Sequence, residues 1–386
     1  MPRTRQAASK QADGFTSLNA LVLQGGGALG AYQGGAYEAL AARPDDIDWV
    51  AGISIGAINA AIIAGNPKPL RVERLRAFWD RVGLRLLPLA EAVQIPEQLR
   101  EWWDAFAAQW GAVHGVPGFF SPRPWWEWWP RMPVSVYDTA PLRETLLQLV
   151  DFELLNHGPL RYSVGAVDVE TGNFVTFDST HEHITVDHVL ASGALPPGFA
   201  PVKIHGRHYW DGGLVSNTPL SWLMRDLEEH SGEHATVFQV DLFSARGQVP
   251  QTLLDVAERS KDIQFSSRTR MISNLVRERH ELRHLLRELA EQLSPAQRKS
   301  PQVQALLARS RLPAVTLVHV IHHPKPYETH NKDYEFSRLS IHEHWQAGQV
   351  DMAASLGLLG QQRAPCAGGF CVIDYQSDGA TVRSSR

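Results

Sequence analysis

Residues 48–65 read DWVAGISIGAINAAIIAG and set the framework for the rest of the chain. The mostly apolar run at 48–53 has the length of a buried strand and ends directly before Ser54. Residues 55–64 are apolar or small almost throughout, and the sequence GNP at 65–67 is a helix stop signal. We therefore expect a strand, a tight turn at the serine, and a helix.

The same arrangement occurs upstream in residues 18–30, LNALVLQGGGALG. Residues 18–24 form a short apolar run that ends at three glycines, and residues 31–42 have the spacing of a helix. Two successive strand–turn–helix units are typical of a parallel sheet covered by helices. The sequence therefore predicts an α/β fold built on a parallel sheet.

The remaining residues add further strand and helix signals. One hairpin is predicted from residues 161–169 and 174–177, and a second over 200–210. Further strands are predicted at 236–243 and 314–321, and helices over 250–310 and 338–359. The tail after Gly360 is expected to be irregular.

We predict three parts of the chain from these signals. Residues 1–17 are polar and read as a flexible tail, residues 18–245 form the main domain, and residues 246–386 form a helical extension packed on the core. Residues about 70–150 are helical, rich in tryptophan and interrupted by prolines, so we interpret them as a cap inserted in the main domain.

Composition limits the class of protein. Of 386 residues, 44% are hydrophobic and 20% charged, which is enough apolar material for a packed core. The net charge of −4 gives no reason to expect nucleic acid as a partner. No apolar run reaches the ~18 residues of a membrane span, and the polar N-terminal residues, without an apolar run behind them, are not expected to act as a secretion signal. Only two cysteines occur, Cys366 and Cys371. We expect a cytoplasmic protein with peripheral contact to membranes.

The pattern Gly52-Ile-Ser54-Ile-Gly56 predicts a nucleophile elbow. Glycines on both sides allow the strained turn that lifts the serine hydroxyl out of the sheet. The turn also puts this hydroxyl at a helix N-terminus, where free N–H groups favour a developing negative charge. The alternative is an ordinary strand-to-helix turn with a capping serine.

The loop from Gly25 to Gly30 permits two functions. In an acyl hydrolase, its backbone N–H groups make an oxyanion hole. It also satisfies the dinucleotide pattern G-x-G-x-x-G, in which an acidic residue ~20 positions later holds a ribose. Asp48 lies at that distance but at the start of its strand, whereas Ser54 occupies the strand's end. We favour the oxyanion hole.

The sequence Asp211-Gly212-Gly213 follows a predicted hairpin strand and supplies a candidate base. Enclosure in an apolar site raises the pKa of a carboxyl group and makes it a better base for a serine. The alternatives are a surface turn at this position and a triad that uses one of the 17 histidines. The α/β-hydrolase triad fits poorly, because that fold places several strands before its elbow.

These three segments together resemble the patatin-like phospholipase family, which carries a glycine-rich loop, a Gly-x-Ser-x-Gly elbow and an Asp-Gly-Gly or Asp-Gly-Ala motif in this order. Residues 191–202, ASGALPPGFAPV, are similar to the family's segment before its aspartate. The likeness covers residues 18–245, and the region beyond resembles the extension of some bacterial members.

The resemblance implies a three-layer α/β/α fold with a mostly parallel central sheet. It also implies a hydrolase of acyl esters in phospholipids, lysophospholipids or neutral lipids, acting at a lipid surface. It implies Ser54 as nucleophile, through an acyl-enzyme, and Asp211 as general base, without a histidine. The oxyanion would be held by backbone N–H groups of the loop and elbow, and other motif glycines would support them. The expected donors are Gly25, Gly26, Gly27 and Ile55, and the supporting glycines are Gly30, Gly52, Gly56, Gly212 and Gly213.

Two further features stay open. Seven tryptophans between Trp102 and Trp129 suit either a lipid interface or a tryptophan-rich core of the cap, and we expect at least some of them to be buried. The paired histidines at 181/183, 322/323 and 342/344 lack the spacing of a zinc motif, so we expect no metal and no cofactor. A non-catalytic lipid-binding or scaffold protein of the same fold remains the alternative to an enzyme.

Overall fold

The computed structural model describes residues 17–86, 96–129, 131–229, 234–266, 269–310, 313–361, 369–376 and 379–384. The predicted tail at 1–17 lies outside the described residues except for Ser17. The strands are β1 (Ser17–Leu23), β2 (Trp49–Gly52), β3 (Ser121–Pro122), β4 (Tyr137–Asp138), β5 (Arg161–Asp168), β6 (Phe174–Asp178), β7 (Val202–Ile204), β8 (Arg207–Asp211), β9 (His234–Asp241), β10 (Ala314–Ile321), β11 (Phe370–Gln376) and β12 (Gly379–Ser384).

The helices lie between these strands in the alternation that the sequence predicts. They are α1 (Gly30–Ala41), α2 (Ile55–Ala64), α3 (Arg71–Val82), α4 (Glu97–His114), α5 (Ala140–Leu149), α6 (Phe152–His157), α7 (Val186–Ser192), α8 (Leu220–Glu229), α9 (Leu253–Phe265), α10 (Thr269–Glu291), α11 (Pro295–Arg298), α12 (Pro301–Arg309) and α13 (Arg338–Gln361).

A single large sheet organises the fold, in the order β12-β11-β10-β9-β1-β2-β5-β8-β7, with β6 also paired to β5. The six strands from β11 to β5 in this order are all parallel. Antiparallel strands pair at both ends of this parallel block. The mostly parallel sheet predicted from the sequence is therefore confirmed.

Helices cover both faces of the sheet because its central strands are apolar on both sides. In β1, Leu21 and Leu23 face a large core that includes α1, α2, α3 and α13. Leu18, Ala20 and Val22 face a smaller core that includes α8 and α10. This is the three-layer α/β/α arrangement that was expected.

The C-terminal extension is mixed. Its helices α9 to α13 agree with the predicted helical stretches, and β10 joins the sheet beside β9. The expectation of an irregular tail after Gly360 is wrong, because β11 and β12 extend the sheet there. Phe370, Val372 and Ile373 of β11 are buried, which explains why this short segment adds to the sheet. Cys371 is disulfide-bonded, a bond that the sequence did not predict.

The tryptophan-rich cap is more exposed than expected. The helices α3 and α5 bury apolar residues in the larger core, so they belong to the main domain and not to the cap. The cap is therefore shorter than predicted and consists of the segment between them, which includes α4 and the short hairpin β3–β4. The expectation that some of its seven tryptophans are buried is wrong, since all seven side chains are at least partly exposed. Trp125 and Trp129 are 80% and 83% exposed.

Among the described residues, no helix combines the length and the hydropathy that crossing a bilayer requires.

Candidate active site

Ser54 lies in the turn between β2 and α2 with φ 55° and ψ −125°. A positive φ is uncommon for a residue with a side chain and costs conformational energy. A Cβ on Gly52 would lie 2.3 Å from the backbone of Gly56, and a Cβ on Gly56 would lie 2.3 Å from the Leu23 carbonyl oxygen. The turn can close because neither position carries a side chain.

Hydrogen bonds of Ser192 fix the turn that contains Ser54. The Ser54 N–H donates to Ser192 Oγ at 2.9 Å, and the Ser192 hydroxyl donates to the Gly165 carbonyl at 2.6 Å. Ser192 is fully buried at the end of α7. The sequence marked it only as part of the segment 191–202, because nothing in a small polar residue signals which backbone it will contact.

The register of the sheet brings Asp211 to Ser54. Gly52 in β2 pairs with Val164 in β5. Two residues further along β5, Ala166 pairs with Asp211 in β8. Ser54 lies two residues beyond Gly52, so serine and aspartate reach the same level of the sheet. The Ser54 hydroxyl lies beside the Asp211 carboxyl group and acts to lower the pKa of that carboxyl.

The Asp211 carboxyl is only 2% exposed. Burial raises its pKa to about 7, although the Ser54 hydroxyl and the Gly213 N–H act to lower it. The Gly213 N–H donates to Asp211 Oδ1 at 2.7 Å. In the part of the chain that the structure describes, no lysine or arginine pairs with this carboxyl. A carboxyl with this pKa is partly ionised at neutral pH and can take a proton from a serine.

The two glycines after Asp211 let its strand end run close to neighbouring groups. A Cβ on Gly212 would lie 2.8 Å from the Gly165 carbonyl oxygen. A Cβ on Gly213 would lie 2.9 Å from Asn217 Oδ1. Both positions therefore require glycine for a close approach.

The glycine-rich loop packs directly against the elbow, since a Cβ on Gly25 would lie 3.0 Å from the Ser54 Cβ. The Gly25 N–H donates to the Asn217 carbonyl at 3.2 Å, and Asn217 Nδ2 donates to the Gly25 carbonyl at 3.0 Å. This N–H is already engaged, which removes Gly25 from the set of free donors predicted from the sequence. No motif in the sequence marks Asn217, which lies six residues after Asp211.

Three of the predicted donors remain free. Among the described residues, the backbone N–H groups of Gly26, Gly27 and Ile55 donate to no protein acceptor. Ile55 is the first residue of α2, where the N–H groups of a helix lack partners within the helix and the helix dipole is positive. These groups can stabilise a negatively charged oxygen beside Ser54.

Residues of the C-terminal extension contact the glycine-rich loop. Gly27 has φ +55°, and a Cβ there would lie 2.0 Å from the Asp333 carbonyl oxygen. The same oxygen accepts the Ala28 N–H at 2.7 Å. Gln24 Nε2 donates to the Phe265 carbonyl at 3.0 Å. The predicted catalytic loop therefore depends on contacts more than 200 residues away in the chain.

Gly30, the last glycine of the loop motif, serves packing. A Cβ at this position would lie 2.4 Å from the Ile55 side chain and 2.9 Å from the Trp79 ring. Gly30 thus allows α1 to approach α2 and the elbow closely.

The dinucleotide alternative finds no support in the position of Asp48. Its Oδ2 atom accepts the Asn19 N–H at 2.8 Å, beside the start of β1 and β2. Ser54 and the glycine-rich loop follow the ends of these same strands. The carboxylate therefore lies at the opposite edge of the sheet from the loop.

Sequence models of known protein families match two parts of the chain. A sequence model of the patatin-like phospholipase family matches residues 21–224, and a second model, described as a patatin phospholipase, matches residues 263–364. No curated protein sequence matches the chain.

Several solved structures are similar to this one. VipD from Legionella pneumophila is 14% identical with a TM-score of 0.39, over 89% of this chain and 67% of its own. The type III effector ExoU is 13% identical with a TM-score of 0.34, over 90% of this chain and 54% of its own. The human GIVD cytosolic phospholipase A2 is 12% identical with a TM-score of 0.42, over 90% and 60%.

The chain thus spans little more than half the length of the last two proteins. The match of the family model over residues 21–224 takes in the elbow, the glycine-rich loop and Asp211. The chain belongs to the patatin-like phospholipase family.

Proposed function

We propose that this protein is a serine hydrolase that cleaves carboxylic esters of lipids by means of a Ser54–Asp211 dyad. The observation that carries the proposal is the position of the Ser54 hydroxyl beside the buried carboxyl group of Asp211, whose pKa is about 7. Family membership supports a lipid ester as the substrate.

In the first half-reaction, Asp211 accepts the Ser54 proton while Ser54 Oγ attacks the ester carbonyl carbon. The resulting tetrahedral intermediate collapses when the bond to the alcohol oxygen breaks. Asp211 returns the proton to the leaving alcohol, and the acyl group stays on Ser54. At this stage the proton has left with the alcohol, and Ser54 carries the acyl group.

In the second half-reaction, a water molecule replaces the alcohol. Asp211 accepts a proton from this water as the water oxygen attacks the acyl carbon. The bond to Ser54 Oγ then breaks, and the serine regains its proton from Asp211. The products are a free fatty acid and the regenerated enzyme.

The oxyanion of both intermediates would be held by the free N–H groups of Gly26, Gly27 and Ile55. Because these donors belong to the backbone, they are in place before the reaction starts. The positive end of the α2 dipole adds to the same stabilisation.

The exposed tryptophans support action at a lipid surface. Trp125 and Trp129 carry an apolar ring system with one polar N–H, which suits the boundary between lipid and water. Their segment leads into β4, where the Tyr137 N–H donates to the Gly198 carbonyl at 2.9 Å. Gly198 lies on the connection from α7 to β7 and β8, and β8 ends at Asp211. The segment that carries the exposed rings is thus hydrogen-bonded to the part of the chain that leads to Asp211.

Labelling with a fluorophosphonate ester tests the nucleophile. We expect wild type to be labelled, whereas Ser54→Ala and heat-unfolded wild type are not. Equal labelling of Ser54→Ala would overturn the proposal, and a folded wild type that resists labelling would favour a non-catalytic lipid-binding protein.

A panel of substrates then tests the substrate class. Short-chain nitrophenyl esters, lysophospholipids, phospholipid vesicles and triacylglycerol emulsions separate esterase, lysophospholipase, phospholipase and lipase activities. We expect turnover of at least one long-chain lipid ester that Ser54→Ala does not catalyse. Hydrolysis limited to short soluble esters would contradict the lipid assignment.

A further inference from the structure

A buried group of two histidines and one glutamate lies in the C-terminal extension, away from the Ser54–Asp211 pair. His322 Nε2 is 3.0 Å from Glu328 Oε2, and His344 Nε2 is 3.2 Å from Glu328 Oε1. One ligand atom from each of the three residues lies within 4.8 Å of the other two. The three side chains are 2–8% exposed.

We propose that His322, Glu328 and His344 bind one divalent transition-metal ion, and the ligand set indicates zinc. Two imidazole nitrogens with one carboxylate form a ligand set that zinc sites in proteins use. Ligands ~2.0–2.1 Å from a tetrahedral ion lie ~3.3 Å from each other. The two observed N···O distances are close to that spacing, so an ion needs only small movements of the side chains.

The balance of buried charge favours a cation at this place. Glu328 and Glu335 are both buried, and neither forms an ion pair with a lysine or arginine in the described residues. The nearby Lys332 is already paired, at 3.0 Å with Glu258 and at 2.8 Å with Asp262. Buried carboxylates are stabilised by a paired charge or by a metal ion.

Glu335 also offers the outer hydrogen bond that a metal-bound histidine requires. A histidine that binds metal through Nε2 carries a proton on Nδ1 and usually donates it to a carboxylate or carbonyl oxygen. His344 Nδ1 and Glu335 Oε2 are both buried and have no hydrogen-bond partner among the described residues. The two side chains interact electrostatically, which makes Glu335 the candidate acceptor for this Nδ1 proton.

The three ligands come from three different segments. His322 directly follows β10, Glu328 lies in the loop from there to α13, and His344 belongs to α13. The same loop carries Asp333, whose carbonyl oxygen accepts the Ala28 N–H of the glycine-rich loop. A bound ion would therefore fix the loop that supports the proposed oxyanion donors.

Metal content tests the site directly. Wild type is stripped with EDTA, re-exposed to Zn²⁺ and dialysed, and zinc is measured by mass spectrometry. We expect about one zinc ion per chain, and a loss of affinity in Glu328→Gln at least as large as the ~10–100-fold that follows loss of an outer-shell partner. Replacing Zn²⁺ by Co²⁺ should give a visible spectrum of a four-coordinate site, which Glu328→Gln lacks.

Two neighbouring histidines provide matched controls. His323→Asn and His342→Asn change residues next to the ligands that lie outside the cluster, and both variants should keep the zinc. Equal zinc uptake in wild type and Glu328→Gln would overturn the proposal and leave a hydrogen-bonded group that shares protons.

A second measurement covers the case in which Glu328→Gln does not fold. An ion that binds only the folded state raises the unfolding temperature of wild type. We expect such a rise on adding Zn²⁺ to the EDTA-treated protein, and its absence would overturn the proposal. Because the cluster holds no reacting group, this failure would leave Ser54 labelling intact and the proposed function standing.

Discussion

The elbow at Ser54 and the glycine-rich loop at Gly25–Gly27 face each other, but the chain holds them in different ways. The elbow is fixed by the parallel core: Ser192 accepts its N–H and the Leu23 carbonyl packs against Gly56. The loop is fixed largely by Asn217 and by carbonyl oxygens of the extension. The family's minimal domain thus supports the elbow at Ser54, whereas the extension helps to position the loop that carries the proposed oxyanion donors.

Removing the proposed base should have the largest effect on activity. We expect Asp211→Asn to lower kcat ~10³-fold or more, since loss of one member of a catalytic unit disables the whole unit. Steady-state hydrolysis of a nitrophenyl ester measures this. Asp48→Asn, at the opposite edge of the sheet, is the control and should keep near-normal turnover. Near-normal activity of Asp211→Asn would point to a histidine base.

Disturbing the loop at Gly27 should have the next largest effect. A Cβ there would lie 2.0 Å from the Asp333 carbonyl in a backbone with positive φ, so Gly27→Ala must displace the loop from the extension. We expect kcat to fall ~10²-fold, the cost of losing an oxyanion donor.

Gly172→Ala is the matched control for Gly27→Ala. It has φ +69° with nothing within 4 Å of the added carbon, so it carries similar backbone strain without a clash. We expect a modest loss of stability and unchanged kcat. Equal losses of kcat in both variants would show that strain alone, and not the contact with the extension, causes the effect.

Substitution of Asn217 disturbs the contact between the glycine-rich loop and the extension less than Gly27→Ala does. Its side chain donates to the carbonyls of Gly25 and Phe265, at 3.0 and 2.9 Å. We expect Asn217→Ala to lower kcat ~10-fold with little change in KM, because small shifts of the donors weaken transition-state binding. Asn156→Ala also removes two bonds to carbonyls, those of Phe152 and Ile184, and should leave kcat unchanged. Equal kcat values for both variants would contradict the positioning role.

The smallest effect concerns stability, and its sign follows from the pKa of Asp211. The folded-state pKa is about 7 against an ordinary value of 3.8, so the folded protein keeps a proton that the unfolded chain has lost. The contribution of Asp211 to stability is therefore fully present below about pH 4 and is lost as pH rises towards 7.

Asp211→Asn should remove this loss. We expect the variant to be more stable than wild type at pH 8 by on the order of 1 kcal/mol or more, with little advantage at pH 4. Thermal unfolding at the two pH values checks this. An advantage independent of pH would mean that Asp211 does not carry the raised pKa.

Much of the site could be predicted because its chemistry lies in short segments. Ser54 and Asp211 each follow a strand and are flanked by glycines, and such local patterns need no knowledge of distant residues. Asn217 and Ser192 could not be found in this way. Each acts through hydrogen bonds to backbone groups that are far away in sequence, and no residue type marks such bonds in advance.

The sequence by itself determined the α/β framework and the serine, aspartate and glycines of the site, since strand length, helix spacing and glycine positions are local properties. Only the tertiary structure decided which N–H groups stay free, that the extension supports the loop, and that His322 and His344 meet around Glu328. These depend on strand order and register, which join residues far apart in the chain. The energies that select such pairings arise from packing across the whole sheet, so no single segment encodes them.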